Sequence, residues 1–339
     1  ARDLVETGRR QLAALIAAEA DELVLTGSGT EAVALGMIGL ARAAAAAGAP
    51  RRVLVLATEH PAGAGAAAAL ARDGFAVSWL AVNRWGQIDL DAARASIAGG
   101  AALISASAAN HEVGTLQPIA ELAALAADVG AAVFCDAVAA AGKRPLNPRE
   151  LGVAGLAISA HKFGGPPGVG ALWLDPSHPI EAVVGGGHQE RDRRPGTENV
   201  LGICAAGAAA AASTDHLERA EAAARALTSR LEEQLPELGC EVIGADVPRV
   251  GNTTCFRVPG VLAETVVQAL DLAGFAVSAG AACTSGRLEP SPVLLAMGLD
   301  EAAATEAVRV SVGPGNQEGD IDALLEALST LLPRVRRHS

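Results

Sequence analysis

Tyrosine is absent from the 339-residue chain, and aromatic side chains make up only 2% of it. A core without large rings must be filled by Ala, Val, Leu and Ile, which suits helices packed closely on a sheet. Long apolar runs are also missing. The longest candidate, Val200–Ala212, falls short of the about 20 residues a membrane-spanning helix needs, and its Ala/Gly content predicts a buried helix. Positive charge is in deficit: 26 Lys and Arg stand against 38 Asp and Glu, a formal net charge of −12. That balance argues against nucleic acid, and the short basic tail Arg334–Arg337 does not reverse it. Cysteines 135, 204, 240, 255 and 283 are odd in number, scattered and without C-x-x-C spacing. Neither a disulfide framework nor a metal site is expected, and a reducing, cytoplasmic compartment is. No stretch has the form of a secretory signal. The chain begins at Ala1, inside what looks like a helix and without an initiator Met, so a natural N-terminal segment is expected to precede it.

The length accommodates two domains. Apolar residues at helical spacing predict a first helix within 2–19. Glu22–Leu25 then forms a short strand, and a helix runs from the Thr26–Glu31 turn to about Ala47. Strands are predicted at Val53–Ala57, Phe75–Val82, Ala102–Ser105, Ala131–Cys135, Gly155–Ile158 and Val169–Leu174, with helices at Pro61–Arg72, Leu90–Ile97 and Pro118–Asp128 between them. Alternation of near-continuous apolar strands with helices predicts an α/β fold with a mostly parallel sheet covered on both faces. After a Gly-rich polar loop at 185–197 and a long amphipathic helix, about Asp215–Gln234, the texture changes. Strands at Thr253–Val258, Phe275–Ser278 and Val308–Val312, with helices between and after them, predict a smaller α+β domain. The expected boundaries are 1–215 and 216–339.

In parallel sheets ligands bind beyond the carboxyl ends of the strands. Thr30, His60, Asn110, His111, Asp136 and Lys162 all fall at such ends. Thr26-Gly-Ser-Gly29-Thr30-Glu31 links a strand to a helix, an arrangement that presents N–H groups and hydroxyls to a phosphate, although such turns are ordinarily only helix caps. Lys162 is delivered by an apolar strand into a turn of glycines and prolines, Ser159-Ala-His-Lys-Phe-Gly-Gly-Pro-Pro-Gly. A lone lysine is usually solvated, but one at the mouth of a buried strand can hold a carbonyl cofactor as a Schiff base. Cys283 stands in a run of small residues, 278–286, which suits a mobile loop with an accessible thiol as well as it suits an inert buried cysteine.

Taken in order, these segments resemble the cysteine desulfurases, pyridoxal-phosphate enzymes of the class V aminotransferase type, over essentially the whole chain. The resemblance implies a large cofactor domain with a seven-stranded-type sheet, and a small domain carrying the cysteine loop. It places Gly29 and Thr30 at the cofactor phosphate, with Ser159 and His161 of the S-x-H-K signature. It makes Lys162 the Schiff-base lysine, Asp136 the partner of the pyridinium nitrogen, and His60 of Thr58-Glu-His the ring-stacking proton carrier. Thr197 of Arg194-Pro-Gly-Thr would reach the phosphate of a partner subunit in a homodimer. Arg309, with Asn110, would bind the substrate carboxylate, and Cys283 would be the nucleophile that takes sulfur from L-cysteine as a persulfide. A sulfur-acceptor protein, either an iron–sulfur scaffold or a sulfur carrier, is then implied.

The chain departs from the family pattern in places. His111 stands where the second Asn of Asn-Asn-Glu is usual, and Ala139 where a glutamine contacts the cofactor's phenolic oxygen; the larger imidazole is expected to replace both contacts. His188 replaces a glycine, and the family's N-terminal D-N-A-A-T-T-type segment has no counterpart here. Selenocysteine lyase or another C–S lyase is an alternative on the same scaffold, and the departures leave open a non-catalytic scaffold relative.

Overall fold

A computed structural model describes residues 1–280 and 289–336. The chain divides into two compact units, 1–81 with 88–109 and 117–217, and 82–87 with 110–116 and 218 onward. Two short excursions, 82–87 and 110–116, therefore associate with the second unit. The bridge between Thr115 and Arg249, and the bond from the Leu116 N–H to the Pro248 carbonyl (2.9 Å), tie the latter excursion there.

The first unit runs α1 (Arg2–Ala14), β1 (Leu23–Thr26), α2 (Gly29–Ala46), β2 (Arg52–Leu56), α3 (Pro61–Arg72), β3 (Ala76–Leu80), α4 (Leu90–Ile97), β4 (Leu103–Ser107), α5 (Ile119–Ala127), β5 (Ala132–Asp136), β6 (Gly155–Ser159) and β7 (Gly170–Leu174). Its strands form one seven-stranded sheet in the order β1-β7-β6-β5-β4-β2-β3. Strands β6, β5, β4, β2 and β3 are parallel, and β7 runs antiparallel to both its neighbours. The predicted mostly parallel sheet is present. Its central strands β4, β5 and β6 are buried along almost their whole length, which is why they read as unbroken apolar runs rather than as alternations.

Helix α2 crosses the sheet with Gly36 facing it. A Cβ there would lie 2.9 Å from Phe134 Cδ2 and 3.0 Å from Leu172 Cδ1, so the helix approaches this closely because the position carries no side chain. Of the few aromatic residues, Phe134 and Trp173 are fully buried, and the Trp173 indole N–H donates to Glu22 (2.9 Å), a carboxylate that Arg149 also grips.

Helix α6 (Val200–Gln234) is one continuous helix, where the sequence suggested a buried segment and a separate amphipathic one. It passes from the first unit into the second. Its early half is not the buried helix expected. Ile203, Ala206 and Ala210 are covered, and Gly207 packs against Gly8 of α1, but only 22% of the apolar stretch is buried and Leu201 is 85% exposed. By length and composition alone it would also suffice to cross a membrane. Alanine satisfies a covered and an exposed face equally, so composition could not distinguish them.

The second unit continues with β8 (Glu241–Ile243), β9 (Thr253–Arg257), α7 (Ala263–Leu272), β10 (Ser278–Ala279), α8 (Pro292–Ala296), α9 (Glu301–Ala304), β11 (Ala307–Ser311) and α10 (Glu318–Val335). Its four strands form an antiparallel sheet in the order β10-β11-β9-β8, against which α7 and α10 bury Leu270, Leu324 and Leu328. The expected α+β architecture is met.

The close approach between β7 and the turn after β1 gives a direct test. A Cβ at Gly170 would lie 2.7 Å from Thr26 Oγ1 and overlap the Ser28 backbone. Gly170→Ala is expected to destabilise the folded chain by about 1–3 kcal/mol through overpacking, read as a lowered midpoint in urea denaturation.

Candidate active site

Four neighbouring strands of the first unit end in polar residues on the same edge of the sheet. Strand β2 is followed by Thr58-Glu59-His60, β4 ends at Ser107, β5 at Asp136, and β6 at Ser159, from which a 3-10 turn, Ala160–Lys162, carries the lysine. Ser107 and Asp136 are register partners, and Asp136 pairs with Ala157 on the other side. The common strand direction, rather than any local motif, brings these residues together.

The lysine turn is rigid for identifiable reasons. The Phe163 and Gly165 N–H groups both donate to the Ala160 carbonyl (3.1 and 2.9 Å), and Gly164 and Gly168 adopt φ of +89° and +83°, conformations that side chains disfavour. Lys162 itself is exposed. Its charge lowers the Asp136 pKa and, after burial, is the second cause depressing His60.

Asp136 is 5% exposed, and burial pushes its carboxyl up to about 6 despite the Lys162 charge and a bond from the Val138 N–H (2.9 Å). His60 caps α3, its Nδ1 accepting the Ala62 N–H at 3.0 Å; in the neutral ring the proton therefore sits on Nε2. Burial, then Lys162, lowers its pKa, so that it is neutral over a wider range than an ordinary histidine.

The start of α2 meets this edge. Ser28 caps the helix by accepting the Glu31 N–H (3.1 Å), and a Cβ at Gly29 would fall 2.9 Å from Ser159 Cβ and 3.3 Å from its Oγ. Thr30 is exposed beside these first N–H groups, which have no intrahelical partner. Ser159 Oγ and His161 Nδ1 are 2.9 Å apart. Together they form an anion cradle of backbone N–H groups, hydroxyls and an imidazole. The 194–197 loop is tied to it: Arg194 Nε donates to Glu31 Oε1 (2.6 Å) while Glu31 Oε2 accepts the Gly27 N–H (2.6 Å), and Thr197 lines a crevice of about 60 Å³ with Thr26 and Gly27. An anion cradle, an exposed amine, a buried carboxyl and a neutral imidazole on one sheet edge fit pyridoxal phosphate. Ala139 has no side chain to offer such a group, and its carbonyl accepts from the Lys143 ammonium (2.8 Å).

Sequence reasoning missed the residues beneath this layer. The Glu59 carboxyl is fully buried beside Asp136 and Ser107; among the described residues it, Ser105 Oγ and Ser107 Oγ have no hydrogen-bond partner at ordinary geometry, although Ser107 lies near enough to lower the Glu59 pKa. Burial first, and the Asp136 charge second, raise the Glu59 pKa well above its ordinary value. The signal was available, since Glu59 sits between two residues already singled out, at the end of an apolar strand. Another missed element is the Arg9–Glu190 pair, doubly hydrogen-bonded at 2.7 Å and buried, with Glu190 also accepting the Leu25 N–H (2.8 Å). It holds Glu190, Arg191 and Asp192 in left-handed backbone conformations (φ 48°, 57° and 64°). His188 is exposed and bonds Asp192 (2.6 Å).

The second unit gathers the other expected group. Asn110 Oδ1 accepts the N–H of Glu112 and Val113 (both 2.9 Å), forming a tight turn. Arg309 donates from Nη1 to the His111 carbonyl (2.9 Å), and the His111 ring has its Nε2 3.6 Å from Glu112 Oε1. Cys283 lies outside the described residues.

The family profile for class V aminotransferases matches residues 1–324. A protein named cysteine desulfurase from Nostoc sp. is 39% identical over 98% of this chain and 83% of its own length. Among solved structures, a NifS-like protein superposes with a TM-score of 0.90 at 29% identity, covering 98% of this chain and 88% of that one. Another, described as SspA in complex with cysteine, has a TM-score of 0.79 at 25% identity over 92% of this chain and 87% of that one. The chain belongs to the class V aminotransferase family, whose fold its first unit has. Within that family its relatives place it among the cysteine desulfurases.

The buried carboxyl pair generates a prediction for the chain without cofactor. Asp136 and Glu59 have folded pKa values above their ordinary 3.8 and 4.5, so the folded chain holds protons that the unfolded chain has released. Stability is therefore lost as pH rises from those ordinary values through about 6 and beyond. Glu59→Gln removes part of that loss. Its unfolding free energy is expected to fall less than that of the parent between about pH 5 and about pH 8, measured by denaturant titration.

Proposed function

We propose that the chain is a pyridoxal-phosphate-dependent enzyme that removes sulfur from L-cysteine, releasing L-alanine and leaving a persulfide on Cys283. The observation that carries this reading is the buried Asp136 carboxyl at the end of β5, within electrostatic reach of the exposed Lys162 amine at the end of β6. Lys162 would hold the cofactor covalently, and Gly29, Thr30, Ser159 and His161 would hold its phosphate. When bound, the cofactor supplies an electron sink for the substrate carbon skeleton, and a carboxylate at Asp136 favours the protonated ring nitrogen that this requires. The raised pKa of Asp136 is that of the side chain alone; a cation placed against it lowers the pKa again.

His60 and Lys162 are the proton carriers. With Nδ1 committed to the Ala62 N–H, His60 exchanges its proton at Nε2. Arg309 takes the substrate carboxylate as a planar donor, with Asn110 forming the turn against it. The Cys283 thiolate attacks the substrate sulfur, a sulfur–sulfur bond forms, and the carbon–sulfur bond breaks with its electron pair on carbon. That carbon then accepts a proton, giving alanine, and the outer sulfur remains as Cys283–S–S⁻ for transfer to an acceptor, an iron–sulfur scaffold or a sulfur carrier. The cysteine complex of the SspA neighbour supports the substrate.

The exposed apolar residues of α6, with Leu201 85% exposed, support a homodimer in which a second copy covers them and Thr197 meets the partner's phosphate. Cys135, Cys204, Cys240 and Cys255 as free thiols suit a reducing, cytoplasmic compartment.

Cys283→Ala is expected to keep the visible absorbance of the bound cofactor and to lose persulfide and sulfide formation from L-cysteine. Retained turnover in that variant contradicts the reading.

A further inference from the structure

Glu112 is 4% exposed, and its carboxyl is the point on which four pieces of the second unit converge. From its own turn, His111 Nε2 approaches Oε1 to 3.6 Å. Before α8, the fully buried Ser291 donates its hydroxyl to Oε2 at 2.6 Å and accepts the Leu294 N–H (3.2 Å), so the carboxyl is tied to the helix cap. At the end of β10, the Gly280 backbone lies so close that a Cβ there would be 3.4 Å from Oε2. From β11, Arg309 contributes its positive charge and grips the His111 carbonyl (2.9 Å). Among the described residues the titratable and charged neighbours are His111 on the turn, Arg309 on β11 and the buried Cys255 thiol on β9, itself pushed up to about 12 by burial and by Glu112. Nothing in the reaction as derived uses this carboxyl.

We infer that Glu112 is a positioning and charge-setting residue for Arg309: its bond to Ser291 fixes the turn whose His111 carbonyl orients the guanidinium, and its ionisation sets how strongly Arg309 attracts a substrate carboxylate. The inference rests on the reading of Arg309 as the carboxylate-binding arginine. An ionised Glu112 offsets part of the guanidinium charge and repels an incoming carboxylate. A neutral one leaves that charge to the substrate while still accepting from Ser291. Burial pushes the Glu112 carboxyl up to about 7, against the Ser291 bond and the Arg309 charge that lower it. The switch between the two states therefore falls at ordinary working pH, and carboxylate affinity decreases as pH rises through it.

The test uses the full chain loaded with pyridoxal phosphate and L-alanine, which has the carboxylate but no thiol to titrate. Its dissociation constant is followed by cofactor absorbance from about pH 6 to about pH 8.5, in the parent and in Glu112→Gln, whose amide oxygen still accepts from Ser291. Ionisation of the amino acid and of the cofactor is common to both, so the ratio of parent to variant dissociation constants isolates Glu112. That ratio is expected to be near unity at the acid end and to rise about three- to tenfold at the basic end, the effect of one charge removed from a partly screened site. Ser291→Ala removes a bond that favours the ionised form and is expected to move the midpoint to higher pH. His111→Asn, which keeps the backbone carbonyl, is expected to retain the pH dependence. A pH-independent ratio, an unmoved midpoint in Ser291→Ala, or loss of the dependence in His111→Asn overturns the assignment. Arg309→Ala tests the underlying reading separately. It is expected to weaken L-alanine binding more than tenfold, and unchanged affinity there removes Arg309 as the carboxylate site and Glu112's role with it.

Discussion

Two carboxyl groups, Asp136 at the end of β5 and Glu59 just after β2, are buried beside one another at one edge of the parallel sheet. Taking a carboxylate out of water is costly, and placing a second one next to it is more so. The pair of acids and the cation-bearing turn after β6 determine what the edge can do. The Lys162 charge draws Asp136 towards ionisation, while burial and the neighbouring Asp136 charge drive Glu59 towards the protonated form. One acid is thereby drawn towards ionisation by the lysine charge, with the other held towards its neutral form beside it. The same sheet edge carries an anion cradle at the start of α2, so the negative end and the cationic end of one ligand each have a complementary surface.

The second unit handles charge in a related way. Its buried carboxyl, Glu112, does not face an open amine but is held by Ser291, the His111 ring and the field of Arg309. Both units thus keep an acid at a pKa close to working pH by burying it, then moderate that burial with one hydrogen bond and one cation. Such groups are expected where protonation matters to function, and the perturbed acids stand among the candidate site residues on both units.

Much of this was legible in the sequence. Lys162 announced itself through a Gly/Pro turn at the end of an apolar strand, and Asp136 and His60 through their positions at neighbouring strand ends; the parallel sheet then brought them to one edge. Strand positions were also readable, because the apolar runs of β4, β5 and β6 are local signals. Less was legible where the signal is not local. Glu59 and Ser107 needed the sheet register to become neighbours, and Glu112 needed residues almost two hundred positions away. The exposed face of α6 was misread as buried because alanine occupies either environment. The association of 82–87 and 110–116 with the second unit depends on pairing with residues near 248, which no periodicity reports.

The account turns on Lys162 being the covalent anchor of pyridoxal phosphate above a buried Asp136. The most direct measurement is to load the chain with pyridoxal phosphate, reduce it with borohydride, digest it and locate the pyridoxyl group by peptide mass spectrometry. The account predicts a single stoichiometric label on Lys162, which the amide analogue Asp136→Asn would weaken by releasing the cofactor. A label on Lys143, the other lysine of the sequence, or no label on the peptide carrying Lys162, would contradict it.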